Sequence, residues 1–123
     1  MVVVLWVVQV VLALLYLFAG SMKAFRPLEA VGKSMRWVLD LRPSLVRFIG
    51  AAEILGAIGL ILPVATGVLP WLTWVAALGL VAVQVGAAIF HTARHEVSTV
   101  PINALLLLLA AFVVYGRLAL VPA

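Results

Sequence analysis

Cysteine is absent from the 123 residues, which excludes disulfides, thiol-based quinone chemistry and thiolate-ligated metal centres on this chain alone. Carboxylates are nearly absent too: Glu29, Asp40, Glu53 and Glu96 are the whole acidic complement, and charged residues of both signs make up 10% of the chain. A sequence this poor in charge, 67% hydrophobic and with a mean hydropathy of +1.34, reads as an integral membrane protein. The length leaves room for four spans with short connections, so the expectation is one domain over residues 1–123 and no soluble catalytic lobe.

The scarcity of carboxylates makes one of them conspicuous. Ser44 to Pro63 is a predominantly apolar run of about 20 residues, enough at 1.5 Å per residue to cross a hydrocarbon core about 30 Å thick. Glu53 falls near its middle, where an ionised carboxylate costs roughly 2.5–3.5 kcal/mol on insertion scales. The other segments must therefore hydrate it, pair it or keep it protonated. Its helical neighbours Gly50, Gly56 and Ala57 are small, so another helix or a ligand can approach closely.

The first span covers about residues 3–25. With no Lys or Arg ahead of it, it reads as a retained span rather than a cleaved leader. Gln9, Ala13, Tyr16, Gly20 and Lys23 recur on one helical face as a polar or small stripe that should look into a bundle. A shorter helix over about 28–41 is predicted to be amphipathic and interfacial. Leu28, Val31, Met35 and Val38 share one face, and Glu29–Lys33 and Arg36–Asp40 form i, i+4 pairs on the other. The second and third spans, about 44–63 and 69–90, are joined by an uncharged turn from Pro63 to Pro70. The fourth runs over about 99–120 and carries Asn103 as its polar residue before Tyr115. The fold expected is an all-α four-helix membrane bundle with an interfacial helix between spans 1 and 2.

Cations gather at one end of this bundle: Lys23, Arg26, Lys33, Arg36, Arg42 and Arg47 around the first loop and Arg94 in the third, against Arg117 alone at the other. The positive-inside rule places both of those loops in the cytoplasm and both termini outside, in a multi-pass plasma (inner) membrane protein. The net charge of +4 fits membrane orientation and anionic lipid rather than nucleic acid. Trp6, Trp71, Trp74 and Tyr115 should form an aromatic belt on the side of the termini.

Measured inward from the charged loops, Asn103 lies about 7 Å deep, Gln84 about 10 Å and Glu53 about 15 Å, with Lys23 and His91 near the rim. Four helices thus direct polar groups into one half of the bundle, which predicts a pocket open to the loop side with Glu53 at its base. The candidate ligand-binding set is Lys23, Glu53, Gln84, His91 and Asn103, extended by Gln9 and Tyr16, with Glu53 as candidate catalytic proton carrier. If the third helix continues far enough, His91 and His95 are i, i+4 with Glu96 beside them. No third convincing ligand lies nearby and no HExxH order is present, so no metal is expected.

FAGSMKAFRP closing the first span, FIGAAEILGAIGLILP forming the second and FHTARHE before the fourth resemble the DoxX-like family over nearly the whole chain. The resemblance implies a small four-helix inner-membrane protein, in a family named for a subunit of an archaeal thiosulfate:quinone oxidoreductase. Two function classes follow. One is a protein that binds or supports a partner membrane protein, a second copy of itself or a lipophilic molecule. The other is an oxidoreductase-associated subunit or enzyme acting on a quinone-like or other lipophilic substrate. No resident cofactor is expected beyond a bound quinone or lipid, and whether the chain is an enzyme stays open.

Overall fold

The computed structural model describes residues 1–33, 39–95 and 100–122. Four long helices alternate in direction: α1 (Val2–Phe25), α3 (Pro43–Thr66), α4 (Leu72–Ala93) and α5 (Val100–Tyr115), the last continuing directly into a π-helical turn, Gly116–Leu120. A single helical turn, α2 (Leu28–Val31), follows α1. No strand occurs among the described residues. Each long helix is apolar enough to cross a membrane, yet only 22–28% of its most apolar window is buried within the protein. Phe18, Phe48, Leu55 and Leu108 stand at 66–70% exposure. An apolar exterior of this extent is what a hydrocarbon solvent selects, and each helix satisfies its own backbone hydrogen bonds, as a span must.

Small residues set the spacing between the helices. α1 and α3 cross where Gly20 meets Gly50: a Cβ on Gly50 would lie 2.6 Å from the Ala24 nitrogen and 2.7 Å from the Gly20 carbonyl oxygen. Those atoms are backbone and cannot rotate away, so the contact depends on glycine. α3 meets α4 through Gly56 against Leu80 and Gly59 against Ala76, and the ring closes where Gly116 of the π-turn takes Leu5 of α1. Bilayer helices lack a hydrophobic force drawing them together, so such close backbone approach supplies much of their packing energy. Leu12, Leu60 and Leu80, each 0–2% exposed, fill the centre with Ala77, Ala110 and Val113.

Three boundaries differ from the sequence expectation. α3 passes through Pro63 and ends at Thr66. The Thr66 hydroxyl donates to the Leu62 carbonyl at 2.7 Å, and the Gly67 N–H donates to the Pro63 carbonyl at 3.0 Å from a left-handed φ of 74°. Proline removes only its own N–H from the ladder, and the last turn restores closure downstream. α4 starts at Leu72 rather than 69 and stops at Ala93, with His95 in the left-handed region at φ 60°. Of the predicted interfacial helix, Leu28–Val31 is helical and Gly32–Lys33 form a turn, while residues 34–38, with Met35, Arg36, Trp37 and Val38, lie outside the described residues. Val31 is fully buried against Val46, with Met22, Leu28 and Leu41 around them, so α2 is pinned under the loop end of the bundle.

Candidate functional site

At the Gly20–Gly50 crossing, Lys23 sits one turn toward the loops and Glu53 one turn deeper, since a Cβ on Gly20 would lie 3.1 Å from the Glu53 Cβ. Lys23 does not extend to the head groups. Its Nζ donates to Glu53 Oε1 at 2.5 Å, and their side chains are 10% and 3% exposed. The carboxylate that the sequence places at mid-membrane is therefore paired, by a cation from the end of the neighbouring helix. Arg47 secures that end: its Nη1 donates to the Lys23 carbonyl at 2.9 Å and to the Arg26 carbonyl at 2.6 Å. These are C-terminal carbonyls of α1 that the helix cannot satisfy itself, and a cation there also opposes the helix dipole.

Deeper in the bundle, Gln84 Nε2 of α4 donates to Tyr16 Oη of α1 at 2.7 Å, and both residues are buried. Gln84 Oε1 is buried without a hydrogen-bond partner among the described residues. Asn103, near the start of α5, is 8% exposed, and its Nδ2 is likewise buried and unpartnered among them. His91, in the last turn of α4, is 6% exposed and meets the Phe90 ring edge-on at 5.6 Å. Lys23, Glu53, Tyr16, Gln84, His91 and Asn103 are each buried and come from three long helices and the start of a fourth, with Lys23 joined to Glu53 and Tyr16 to Gln84. His95 is not on the His91 face, because α4 ends two residues before it, and it is exposed. Among the described residues no cluster of three or more His, Asp or Glu side chains could hold a metal ion.

Gln9 departs from this group. Fully buried, it donates through Nε2 to the Leu60 carbonyl at 2.6 Å and accepts at Oε1 from Arg117 Nε at 2.8 Å, near the end carrying both termini. About 10 Å of helix separates it from Tyr16, and Leu12, Ala13, Leu60 and Leu80 of the central core occupy that interval. The polar stripe of α1 is therefore divided by an apolar layer. Its members make their contacts at two separate levels of the bundle.

Arg117 is the buried polar residue absent from the candidate set, counted in the sequence only as the lone cation at the end opposite the charged loops. The structure leaves it 3% exposed. The signal was present in the spacing: Asn103, Ala110, Val113 and Arg117 fall at i, i+7, i+10 and i+14, one helical face continued beyond Tyr115. Arg94 is another cation with a partner, its Nη1 meeting Asp40 Oδ2 at 2.5 Å across the loops. The expected Arg36–Asp40 pair lies outside the described residues.

Two apolar grooves mark the outer surface. One of about 270 Å³ lies between α3 and α4, lined by Ala52, Leu55, Gly56, Ala76, Gly79 and neighbours. Another of about 420 Å³ lies along the loop end of α4, at Ala88, Ile89, Thr92 and Ala93. Compared with known proteins, the chain matches the DoxX-like family model over residues 7–113, a stretch that contains Gln9 through Asn103 and stops short of Arg117. No match was found among curated proteins or solved structures.

Proposed function

The chain belongs to the DoxX-like family and is a multi-pass membrane protein with four apolar helices, and from that premise we propose that it binds a lipophilic molecule whose polar head enters the loop-side half of the bundle. The observation that carries this reading is a pair of buried amide atoms without hydrogen-bond partners among the described residues, an acceptor at Gln84 Oε1 and a donor at Asn103 Nδ2, both in residues more than nine-tenths buried. Each such group costs about 1–3 kcal/mol when left unsatisfied. A molecule offering one carbonyl and one hydroxyl answers both. The apolar groove at Ala88, Ile89, Thr92 and Ala93 supports the reading further, since it lies along the same end of α4 and suits an alkyl or isoprenoid tail.

A second reading, an oxidoreductase-associated subunit or enzyme acting on a quinone-like substrate, is favoured by Glu53 beside Lys23. Quinone carbonyls accept hydrogen bonds and hydroquinone hydroxyls donate them, so Asn103 Nδ2 would meet the oxidised form and Gln84 Oε1 the reduced one. The two electrons would pass to or from a redox partner protein, while Glu53, held in its charged form by Lys23, would relay the two protons in turn. Support of a partner membrane protein or of a second copy is the third use of the same scaffold, and the outer groove lined by Ala52, Gly56, Ala76 and Gly79 supports it by leaving room for a close helix approach. Arg26, Lys33 and Arg42 support a cytoplasmic placement of the loop end in a plasma (inner) membrane.

The test is mass spectrometry and absorbance of lipid extracts from the detergent-purified protein, with thermal unfolding in the presence of a short-chain quinone and of neutral lipids. The parent should retain a lipophilic molecule, or be stabilised by one, and Gln84→Leu with Asn103→Leu should abolish this. A parent that carries nothing, gains nothing, and becomes more stable on those substitutions would leave the amides as packing faults and reject the site.

A further inference from the structure

The other end of the bundle holds a buried cation with no acid to meet it among the described residues. Arg117 is 3% exposed, its Nε is engaged by Gln9, its Cζ lies 5.5 Å from the centre of the Trp6 ring, and its Nη2 is buried with no partner among those residues. Thr73, in the first turn of α4 and so at the same end, is fully buried with its Oγ1 also unpartnered. Among the described carboxylates, Glu53 is taken by Lys23 and Asp40 by Arg94, and Glu29 lies in α2 at the loop end. Arg117 is three residues from the end of the apolar segment Pro101–Leu120, which places it near the hydrocarbon boundary rather than at mid-membrane.

We propose that the buried guanidinium edge of Arg117, held by Gln9 and capped by Trp6, forms a phosphate-binding site together with the Thr73 hydroxyl from the same end of the bundle, filled by the head group of a membrane phospholipid or by free phosphate. A guanidinium edge is the side chain best matched to phosphate oxygens, and a hydroxyl adds one further donor. Arg117 lies within the π-helical turn Gly116–Leu120. The Val121 N–H reaches back five residues to the Gly116 carbonyl at 2.7 Å, and Gly116 has no side chain to strike Leu5. Such turns widen a helix locally and recur at functional sites. Trp6 is half-buried, with its ring against the Arg117 guanidinium. This site does not depend on the loop-side reading, because the central apolar layer separates the two.

The experiment uses the full chain, delipidated in a neutral detergent, with binding read by native mass spectrometry and thermal shift. The probes are a short-chain phosphatidylglycerol, a diacylglycerol of the same chains and inorganic phosphate. Phosphatidylglycerol should bind and stabilise the parent and the loop-side control Lys33→Gln, whereas diacylglycerol should not. Arg117→Gln should weaken binding roughly tenfold to a hundredfold, the loss of a charge-assisted contact. Stabilisation by inorganic phosphate as well would identify the free anion as a sufficient ligand, and stabilisation by the lipid alone would identify the head group. Should Arg117→Gln fail to fold, Arg117→Lys and Thr73→Val provide the same reading, each with a reduced affinity. Equal binding of phosphatidylglycerol and diacylglycerol, or phosphatidylglycerol binding unchanged by these substitutions, overturns the proposal.

Discussion

Replacing Lys23 and Glu53 singly and together tests whether their contact is a stabilising pair or a coupled unit that is costly only when broken. At the observed 2.5 Å, two unit charges attract by about 7 kcal/mol at an effective dielectric near 20. Removing both ions from water costs several kcal/mol each, so the intact pair is close to neutral in net stability. Lys23→Met or Glu53→Leu alone removes the attraction and leaves the desolvation of the surviving charge, an expected loss of about 3–5 kcal/mol. The double substitution removes both charges and keeps side-chain volume, so it should lie within about 1 kcal/mol of the parent or above it. The coupling is then as large as the two single losses together, about 6–10 kcal/mol, beyond the range of about 0.5–3 kcal/mol usual for neighbours. Unfolding of the purified protein in mixed micelles, followed by the fluorescence of its four tryptophans, supplies the four stabilities. Additive effects, with the double variant losing the sum of the singles, would refute the argument and mean that each side chain is held by other contacts.

The glycine crossing gives a sharper steric expectation: Gly50→Ala must push apart a pair of backbones that allow a Cβ only 2.6 Å and should cost about 1–3 kcal/mol in thermal unfolding. Gly79→Ala, with nothing within 4 Å of its Cβ, should change stability by less than about 0.5 kcal/mol, and equal effects of the two would dismiss the crossing as the reason. Arg47→Gln should lower stability by about 1–3 kcal/mol through the lost bonds to the Lys23 and Arg26 carbonyls. Hydrogen exchange should rise at the end of α1, and unchanged exchange there would count against the cap. Leu69 is 53% exposed and holds a φ of 47°, so Leu69→Gly should raise stability by about 1 kcal/mol through relief of left-handed strain; a loss in melting temperature would contradict this. Because the chain has no cysteine, single cysteines at Lys33 and at Thr66 can be labelled cleanly in intact membranes. They should react from opposite sides, and reaction from one side would break the four-span arrangement.

What the sequence determined by itself is local in origin. Hydropathy and length fix four spans because a helix crossing hydrocarbon must satisfy its own backbone and face lipid with apolar side chains, whatever its neighbours are. The 3.6-residue period fixes that Gln9, Tyr16 and Lys23 share one face, and all three are buried. The isolation of Glu53 in an apolar run makes a buried carboxylate legible, and the family resemblance was carried by the same stretches. Its partner was not, because the Lys23–Glu53 contact joins residues 30 apart, Tyr16–Gln84 joins residues 68 apart and Gln9–Arg117 joins residues 108 apart. Such pairs depend on how each helix is rotated and how closely it approaches, and those were decided by Gly20 against Gly50 and Gly116 against Leu5. Arg117 shows the difference most plainly. In sequence it is a cation near a span end, where snorkelling to water is the cheap solution. Its spacing from Asn103 puts it on the inward face, but the missing side chain of Gly116, which admits Leu5, and the buried amide of Gln9, which receives the guanidinium inside, meet in the folded bundle alone.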